Sequence, residues 1–343
     1  MIGERVRLAR EACRLTQEEL AALAGISQGT LSDVEHARVV EPASETVARI
    51  ARATQYPLSF FHLGPLPDLP EGRFRKLARG TAKVAKQVRA QVRQVVEVVQ
   101  LGERVLRLPP VRLEPVSEVP SLAAIESIAA QVRRALGLGD RDPIPNLMRA
   151  VERAGGVVVR LPGQMEDHDG FSAWPEFGSE GARPVVALTG GHPGDRDRFN
   201  LAHEIGHLVL HTLRQNVVPD QAETEANRFA GALLIPKAAA VEAMRPPITL
   251  RILMGVKATW GISMAALARR AFDLNLIGQS QFVSLMKQLS ARRWRRVEPV
   301  EVTPERPALI GKILHALAGE GSTSEQAARV HMPVFAYRTL AAA

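Results

Sequence analysis

The stretch RDRFNLAHEIGHLVLH, residues 196–211, constrains the fold of this chain more than any other stretch. It places His203 and His207 four positions apart in an apolar run, so both imidazoles lie on one face of an α-helix. Two such histidines can bind one metal ion when a neighbouring element supplies a third ligand and a fourth position stays open. The pattern therefore predicts a helix that packs against a second helix carrying an acid.

That second helix is predicted from ETEANRFAGALL, residues 223–234. Glu223 and Asn227 share one face of it, because they are four residues apart. We expect Glu223 to be the third ligand, with the Asn227 amide orienting His203 or His207 through a hydrogen bond. The spacing thus predicts a three-ligand site built on two helices.

Two further polar residues near this site are expected to stay outside the ligand set. Glu225 shares a face with Phe229 and is the less suited of the two glutamates in ETEAN. His211 lies about 12 Å of helical rise from His203, which is too far for both to bind one ion on a straight helix. We expect His211 to be a polar neighbour of the ligands.

Glu204, one step round the helix from His203, is predicted to be a general base. Zinc lowers the pKa of a water that it binds to about 7, and a carboxylate can then take the proton for attack on a peptide carbonyl. Such an enzyme also needs a donor for the oxyanion that forms. Neither tyrosine of the chain lies in this region, and His168, Ser172 and Arg198 stay open as candidates.

The runs RFNLAHEIGHLVLH and ETEANRFAGALLIP resemble the ImmA/IrrE family of bacterial zinc metallopeptidase domains. The resemblance covers roughly residues 155–240, including DGFS and RPVVAL, and implies a zincin-like α+β fold with one Zn²⁺. It implies that His203, His207 and Glu223 hold the zinc and that Glu204 is the general base. It further implies a protein substrate, such as a helix-turn-helix repressor, in a stress, mobile-element or phage response.

Residues 15–38, LTQEELAALAGISQGTLSDVEHAR, have the spacing of a helix-turn-helix. Thr16 and Glu19 form a capping box at the start of the first helix, and Gly25 ends that helix. Ser27 caps the recognition helix, whose N-terminus would enter the major groove. Base and phosphate contacts are predicted for the amide and short hydroxyl side chains, namely Gln17, Ser27, Gln28 and Thr30.

Residues 4–64 resemble the XRE family, which implies a five-helix lambda-repressor-like domain that binds a double-stranded DNA operator. We expect a homodimer, because one half-site is small and specific binding normally needs two. The family's contact positions fall on Gln17, Ser27, Gln28, Gly29, Thr30 and Asp33. Two of these positions depart from the pattern, because Gly29 offers no side chain and Asp33 carries a negative charge. Arg10 and Glu35 match a structural ion pair of the family.

Charge is distributed unevenly along the chain. The net charge is +8 and the pI is about 10.2, which favours an acidic partner such as nucleic acid. Residues 1–64 carry seven arginines and eight acids, whereas residues 71–107 carry ten basic residues and three glutamates. The basic segment is predicted to be a phosphate-binding helix or, equally, a solvated helix face.

The predicted fold is mainly α with a small β-sheet. A valine stripe, Val84, Val88, Val92, Val95 and Val99, predicts a long linker helix over 73–107 that packs on its own chain or dimerises. Strands are predicted at 155–161, 167–174 and 182–188. The predicted domains are the helix-turn-helix at 1–64, a basic helical linker at 65–120, the zinc domain at 121–245 and a helical C-terminal region at 246–343.

The C-terminal region contributes one motif of interest. KATWGISMAALARRAFDLNLI contains an N-cap at Ser263, and the later RRWRR cluster carries Trp294 among arginines. Trp294 is expected to anchor a basic helix end, although it can also stack on nucleic acid. With the two other motifs, this tail resembles whole regulators that fuse XRE and ImmA/IrrE domains.

Three functions stay open. The first is a transcription regulator whose zinc peptidase centre cleaves a regulatory protein, and the second is a DNA-binding sensor whose zinc domain binds a ligand or peptide without catalysis. The third is a protease whose helix-turn-helix docks on a related repressor. One cysteine, no apolar run of membrane-spanning length and no signal-peptide core predict a cytoplasmic protein without a membrane partner.

Overall fold

The computed structural model is mostly helical and describes residues 2–39, 41–69, 82–119, 121–161, 170–177, 181–189, 191–214, 216–295 and 297–342. The chain divides into two compact units. Unit 1 comprises Met1–Leu108, Val159–Gly190 and Ala308–Ala343, and unit 2 comprises Pro109–Val158 and Gly191–Pro307. The predicted domain boundaries remain predictions. The predicted architecture, helical with a small sheet, is confirmed.

Unit 1 begins with four α-helices and a 3₁₀ turn: α1 (Ile2–Ala12), α2 (Gln17–Ala24), α3 (Gln28–Glu35), α4 (Ser44–Thr54) and the turn Leu58–His62. The capping box of α2 is confirmed, since the Thr16 side chain accepts from the Glu19 amide and Glu19 accepts from the Thr16 amide. Gly25 ends α2 with a φ of 64°, which suits glycine. The Ser27 side chain caps α3. The ends of α2 and the start of α3 therefore follow from capping residues that are visible in the sequence.

Helix α5 (Ala82–Glu103) carries the valine stripe, whose members are at most 1% exposed. The helix packs on α1 and on α14 (Leu309–Ala318), so the stripe packs within its own chain. Gly102 allows the approach to α14, because a Cβ there would lie 2.5 Å from Ile313 Cγ2. The prediction of a helix to residue 107 was too long at the C-terminal end, and residues 73–81 lie outside the described part.

Two short helices, α15 (Thr323–Arg329) and α16 (Val334–Ala341), follow α14 in unit 1. The sheet has the order β1-β3-β2, with strands Val157–Arg160, Gly170–Ala173 and Val185–Leu188. Strands β2 and β3 are antiparallel, and Gly170 pairs with Leu188. All three predicted strands are present, although residues 167–169 of the second lie outside the described part.

Unit 2 contains eight α-helices within its described residues. They are α6 (Ala124–Ala135), α7 (Leu147–Arg153), α8 (Gly194–Leu210), α9 (Pro219–Leu234), α10 (Lys237–Ala243), α11 (Leu250–Trp260), α12 (Met264–Asp273) and α13 (Gln279–Ala291). Helix α9 is central, since it packs against α6, α8 and α12. The predicted N-cap at Ser263 is confirmed. Helices α8 and α9 are the two helices predicted to form the site.

Buried ion pairs join the segments of unit 2. Lys257 is 2% exposed and donates to Asp195 and to Glu298, at 2.6 and 2.7 Å. Arg198 pairs with Glu305, whose carboxylate also accepts from the first turn of α7. Charges buried at this depth are tolerated when they are paired and hydrogen-bonded, so these contacts hold helices α7, α8 and α11 in register.

Among the described residues, no single helix is long and apolar enough to cross a membrane. Helices α11 and α12 are long and apolar enough for a membrane span only when they are counted as one segment, and the two helices meet at a bend of 104°.

Candidate metal centre

The centre is formed where α8 lies along α9. His203 and His207 share one face of α8, and their Nε2 atoms are 2.9 Å apart. Glu223 of α9 faces both rings, with carboxylate oxygens 3.4 Å from His203 Nε2 and 4.0 Å from His207 Nε2. The possible ligand atoms all lie within 4.8 Å of one another. The structure therefore brings the three predicted ligands to one point.

A glycine allows the two helices to approach this closely. A Cβ at Gly206 would lie 3.0 Å from Phe229 Cδ1 and 3.2 Å from Ala226 Cα. Any larger residue would push α9 away from α8, and Glu223 would move away from the histidines. Gly206, the third residue between the two histidines of HEIGH, thus has a packing role.

The outer nitrogen of each histidine is held by a different partner. His203 Nδ1 lies 2.9 Å from Asn227 Oδ1, so the predicted supporting role of Asn227 falls on His203. His207 Nδ1 lies 2.7 Å from His211 Nδ1. Because these bonds engage the Nδ1 atoms, the Nε2 atoms are the ones that face Glu223. Imidazole nitrogens and a carboxylate are the donors that zinc accepts in catalytic sites, and one divalent cation would relieve their mutual repulsion. The residues present fit a metal ion.

Behind His211 lies the carboxylate of Glu225, which was predicted to stay outside the ligand set. Glu225 is 3% exposed and accepts from His211 Nε2 at 3.0 Å, from Gln221 at 2.7 Å and from Arg214. Burial raises the pKa of Glu225, but the hydrogen bonds from Arg214, Gln221 and His211 outweigh burial and hold the pKa below its usual value. The available signal was the shared face with buried Phe229, which marked Glu225 as an inward-facing acid.

The other residues predicted to act near this centre are Glu204, Arg198, Ser172 and His168. Glu204 is 9% exposed and directly follows His203 on α8. Arg198 donates to Glu305 and to the Ile144 carbonyl, so its guanidinium is held inside unit 2. Ser172 lies on β2, which belongs to unit 1. His168 lies outside the described residues.

The predicted DNA-contacting residues lie at the junction of α2 and α3. Ser27, Gln28 and Thr30 are exposed, although the Ser27 hydroxyl also caps α3. Gln28 donates to Gln17 at 3.2 Å. An exposed helix N-terminus with amide and hydroxyl groups is suited to contact base edges and phosphates.

The ion pair expected behind these residues is present and buried. Arg10 donates twice to Glu35, at 2.6 and 2.9 Å, and Gln17 donates to the same carboxylate at 2.8 Å. The Glu35 carboxylate thus ties α1 and α2 to α3.

The described residues thus contain a helix-turn-helix and, separately, two histidines and a glutamate brought together by two packed helices. Comparison with family models identifies both parts: the helix-turn-helix model matches residues 6–61, and the model of the peptidase M78 family, described as an IrrE N-terminal-like domain, matches residues 151–272. A search of curated proteins gives no significant match. The two matches agree with the predicted fusion of an XRE-type helix-turn-helix and an IrrE N-terminal-like region. These matches connect it with DNA-binding regulation and with a protein substrate for the peptidase-like region.

Proposed function

We propose that this protein is a transcriptional regulator whose zinc-dependent endopeptidase centre cleaves a repressor-type regulatory protein in a stress or mobile-element response. The observation that carries the proposal is the convergence of His203, His207 and Glu223 within 4.8 Å, next to Glu204. Two histidines and one glutamate form the ligand set of several zinc peptidases, which keep a fourth position open.

The residues of the chain have separate roles in this reaction. His203, His207 and Glu223 would hold one Zn²⁺, which when bound supplies a Lewis acid for the scissile carbonyl. Glu204 takes a proton from the attacking water and returns it to the amide nitrogen that leaves. Asn227 holds the His203 ring in the orientation that directs Nε2 toward the ligand cluster.

DNA binding is assigned to the helix-turn-helix. Gln17, Ser27, Gln28 and Thr30 are proposed to contact an operator, and a homodimer is proposed because a single half-site buries too little surface for specific binding. Operator binding would then place the regulator at genes that respond to cleavage of the repressor.

The test of catalysis uses the zinc-loaded full-length protein and purified candidate repressors. We expect limited cleavage, and we expect Glu204→Gln to lower the rate about 10²–10⁴-fold because the general base is lost. Glu242→Gln changes an exposed acid of α10 and is the matched control. Equal rates for the wild type and Glu204→Gln would refute peptidase activity.

A sensor without catalysis is the second candidate. It is favoured by the engagement of Arg198 with Glu305, because this removes one candidate donor for the oxyanion. A sensor would bind zinc, cleave no repressor and change its operator affinity when zinc is removed. Gel shifts at two salt concentrations test the DNA partner, since phosphate binding weakens steeply with salt. A salt-insensitive absence of binding would favour a helix-turn-helix that docks on a repressor.

A further inference from the structure

We propose that His211 and Glu225 are positioning residues that present Nε2 of His207 to the metal ion. The proposal rests on the metal centre of the proposed function, and it is independent of whether that centre cleaves peptides. It concerns four contacts in unit 2: Arg214 and Gln221 each contact Glu225, Glu225 contacts His211, and His211 contacts His207.

The hydrogen bonds that connect these side chains are short and mostly buried. His207 Nδ1 and His211 Nδ1 are 2.7 Å apart, and His211 Nε2 is 3.0 Å from Glu225 Oε2. The side chains of His207, His211 and Glu225 are 10%, 12% and 3% exposed. Water therefore has little access to the bonds that connect them.

The donors and acceptors of these side chains set the direction of each hydrogen bond between Arg214 and His207. The Arg214 guanidinium and the Gln221 amide nitrogen can only donate, so the Glu225 carboxylate accepts from both. It also accepts from His211 Nε2–H, because an ionised carboxylate has no proton to give. The tautomers that fit these acceptors place the lone pair of His211 on Nδ1, so that His207 donates its Nδ1–H to that atom.

This direction determines which nitrogen of His207 can bind a metal ion. With the proton on Nδ1, the lone pair of His207 is on Nε2, which lies 2.9 Å from His203 Nε2 and 4.0 Å from Glu223 Oε1. Outer hydrogen bonds to a carboxylate both orient a histidine ligand and raise its basicity. Here the effect of the carboxylate reaches His207 through the ring of His211.

The two histidine ligands are thus supported differently. His203 is held by the neutral amide of Asn227, which is exposed, whereas His207 is held by a buried chain that ends in an anion. The spacing of four residues between His207 and His211 brings the two rings together at the end of α8. Their ring centroids are 4.9 Å apart. We therefore expect His207 to depend on its supporting residues more strongly than His203 does.

Metal affinity and cobalt spectroscopy of the full-length chain test the proposal. Zn²⁺ affinity is measured by competition with a chromophoric chelator, and Co²⁺ is added to the apoprotein to record its visible absorption. His211→Phe keeps a ring and loses both hydrogen bonds, and we expect 10–100-fold weaker Zn²⁺ binding with an altered Co²⁺ spectrum. Glu225→Gln keeps the shape and loses the charge, and we expect a smaller change in the same direction.

Matched controls distinguish positioning of His207 from a purely structural link between α8 and α9. His315→Phe and Glu242→Gln make the same replacements at exposed sites and should bind Zn²⁺ and Co²⁺ like the wild type. A purely structural role predicts a lower melting temperature of the apoprotein with unchanged metal affinity and spectrum. That result for Glu225→Gln, which preserves packing, would overturn the proposal even where His211→Phe fails to fold.

The outcome also distinguishes this inference from the proposed function. Weakened metal binding in both variants of a protein that cleaves no repressor would support the positioning roles and refute the peptidase. Cleavage by the wild type with unchanged metal binding in both variants would support the peptidase and refute the positioning roles. A wild type that binds neither Zn²⁺ nor Co²⁺ would overturn both.

Discussion

In the helix-turn-helix region, the buried Glu35 carboxylate accepts from Arg10 and Gln17, and Gln17 in turn accepts from Gln28. In unit 2, a comparable network starts at Glu225 and ends at the Nε2 atom of His207. The first network joins the three helices that form it. The second network is proposed to direct the Nε2 atom of His207 toward the other two predicted ligands. A buried, hydrogen-bonded carboxylate thus joins helices in unit 1, whereas in unit 2 we propose that it orients a predicted metal ligand.

The largest expected effect comes from Glu35→Ala. Removing the carboxylate takes away both hydrogen-bond acceptors of the buried Arg10–Glu35 pair, and loss of one member of a buried pair costs about 3–5 kcal/mol. Denaturant unfolding of unit 1, followed by circular dichroism, measures the change. Metal affinity should stay that of the wild type, because this network makes no contact with the ligands.

Two further variants sharpen this test. Glu45→Ala removes an acid from an exposed pair with Arg49 and should change stability little. The double variant Arg10→Met with Glu35→Leu should recover much of the lost stability, because an apolar pair needs no counter-ion. A Glu35→Ala protein as stable as Glu45→Ala would contradict the closed-network interpretation.

Gly206→Ala has the next largest expected effect, and it falls on unit 2. The added methyl would crowd Phe229 and Ala226, and overpacking of this kind costs about 1–3 kcal/mol. Zinc affinity should fall as well, because α9 must move and carries Glu223. Thermal unfolding and chelator competition measure the two effects.

Gly255→Ala is the matched control for that substitution. Gly255 lies within α11, and a Cβ there meets nothing within 4 Å. Alanine should therefore leave stability unchanged or raise it by about 0.5–1 kcal/mol, because it favours the helix. If Gly206→Ala matched this control in both measurements, the close approach of α8 and α9 would not matter for the site.

Glu19→Gln has the smallest expected effect and tests a network at the surface of unit 1. Hydrogen bonds from Lys83 and from the Thr16 backbone lower the pKa of Glu19 to about 2. A lowered pKa means that the ionised carboxylate stabilises the fold above its usual value of 4.5 and that this contribution is lost as the pH falls toward 2. The melting temperature of the wild type should thus exceed that of Glu19→Gln at pH 7.

The pH dependence of this difference in melting temperature tests whether the charge of Glu19 causes it. The difference in melting temperature should shrink between pH 4.5 and pH 2, the range between the usual and the lowered pKa. Glu18→Gln removes the neighbouring exposed charge from the same helical turn and controls for the helix dipole. A Glu19→Gln difference that was constant with pH would show that the capping box acts without its charge.

The parts that could be predicted from sequence depend on residues close together in the chain. The capping box of α2, the left-handed Gly25 and the i, i+4 histidines each act within one or two turns, so their spacing is visible in the sequence. Glu223 and Asn227 followed from one helical face. These are contacts that secondary structure alone brings together.

The parts that were missed depend on connections that spacing does not encode. Arg214 precedes Glu225 across the α8–α9 connection, and only the folded connection aims its guanidinium at that carboxylate. Similarly, the valine stripe of α5 left self-packing and dimerisation open, and the partner helix α14 lies near the other end of the sequence. A periodic pattern shows that a face is buried and does not identify what covers it.

The discontinuous make-up of unit 1 has a consequence for synthesis. Helix α5 is complete long before its partner α14 is translated, because all of unit 2 is encoded between them. The side of α5 that α14 later covers therefore stays exposed on the growing chain while unit 2 is being made. Exposed apolar surface of this kind is what chaperones recognise and what drives misassembly. A nascent chain stalled before residue 308 should bind chaperones, and extension through α14 should release them.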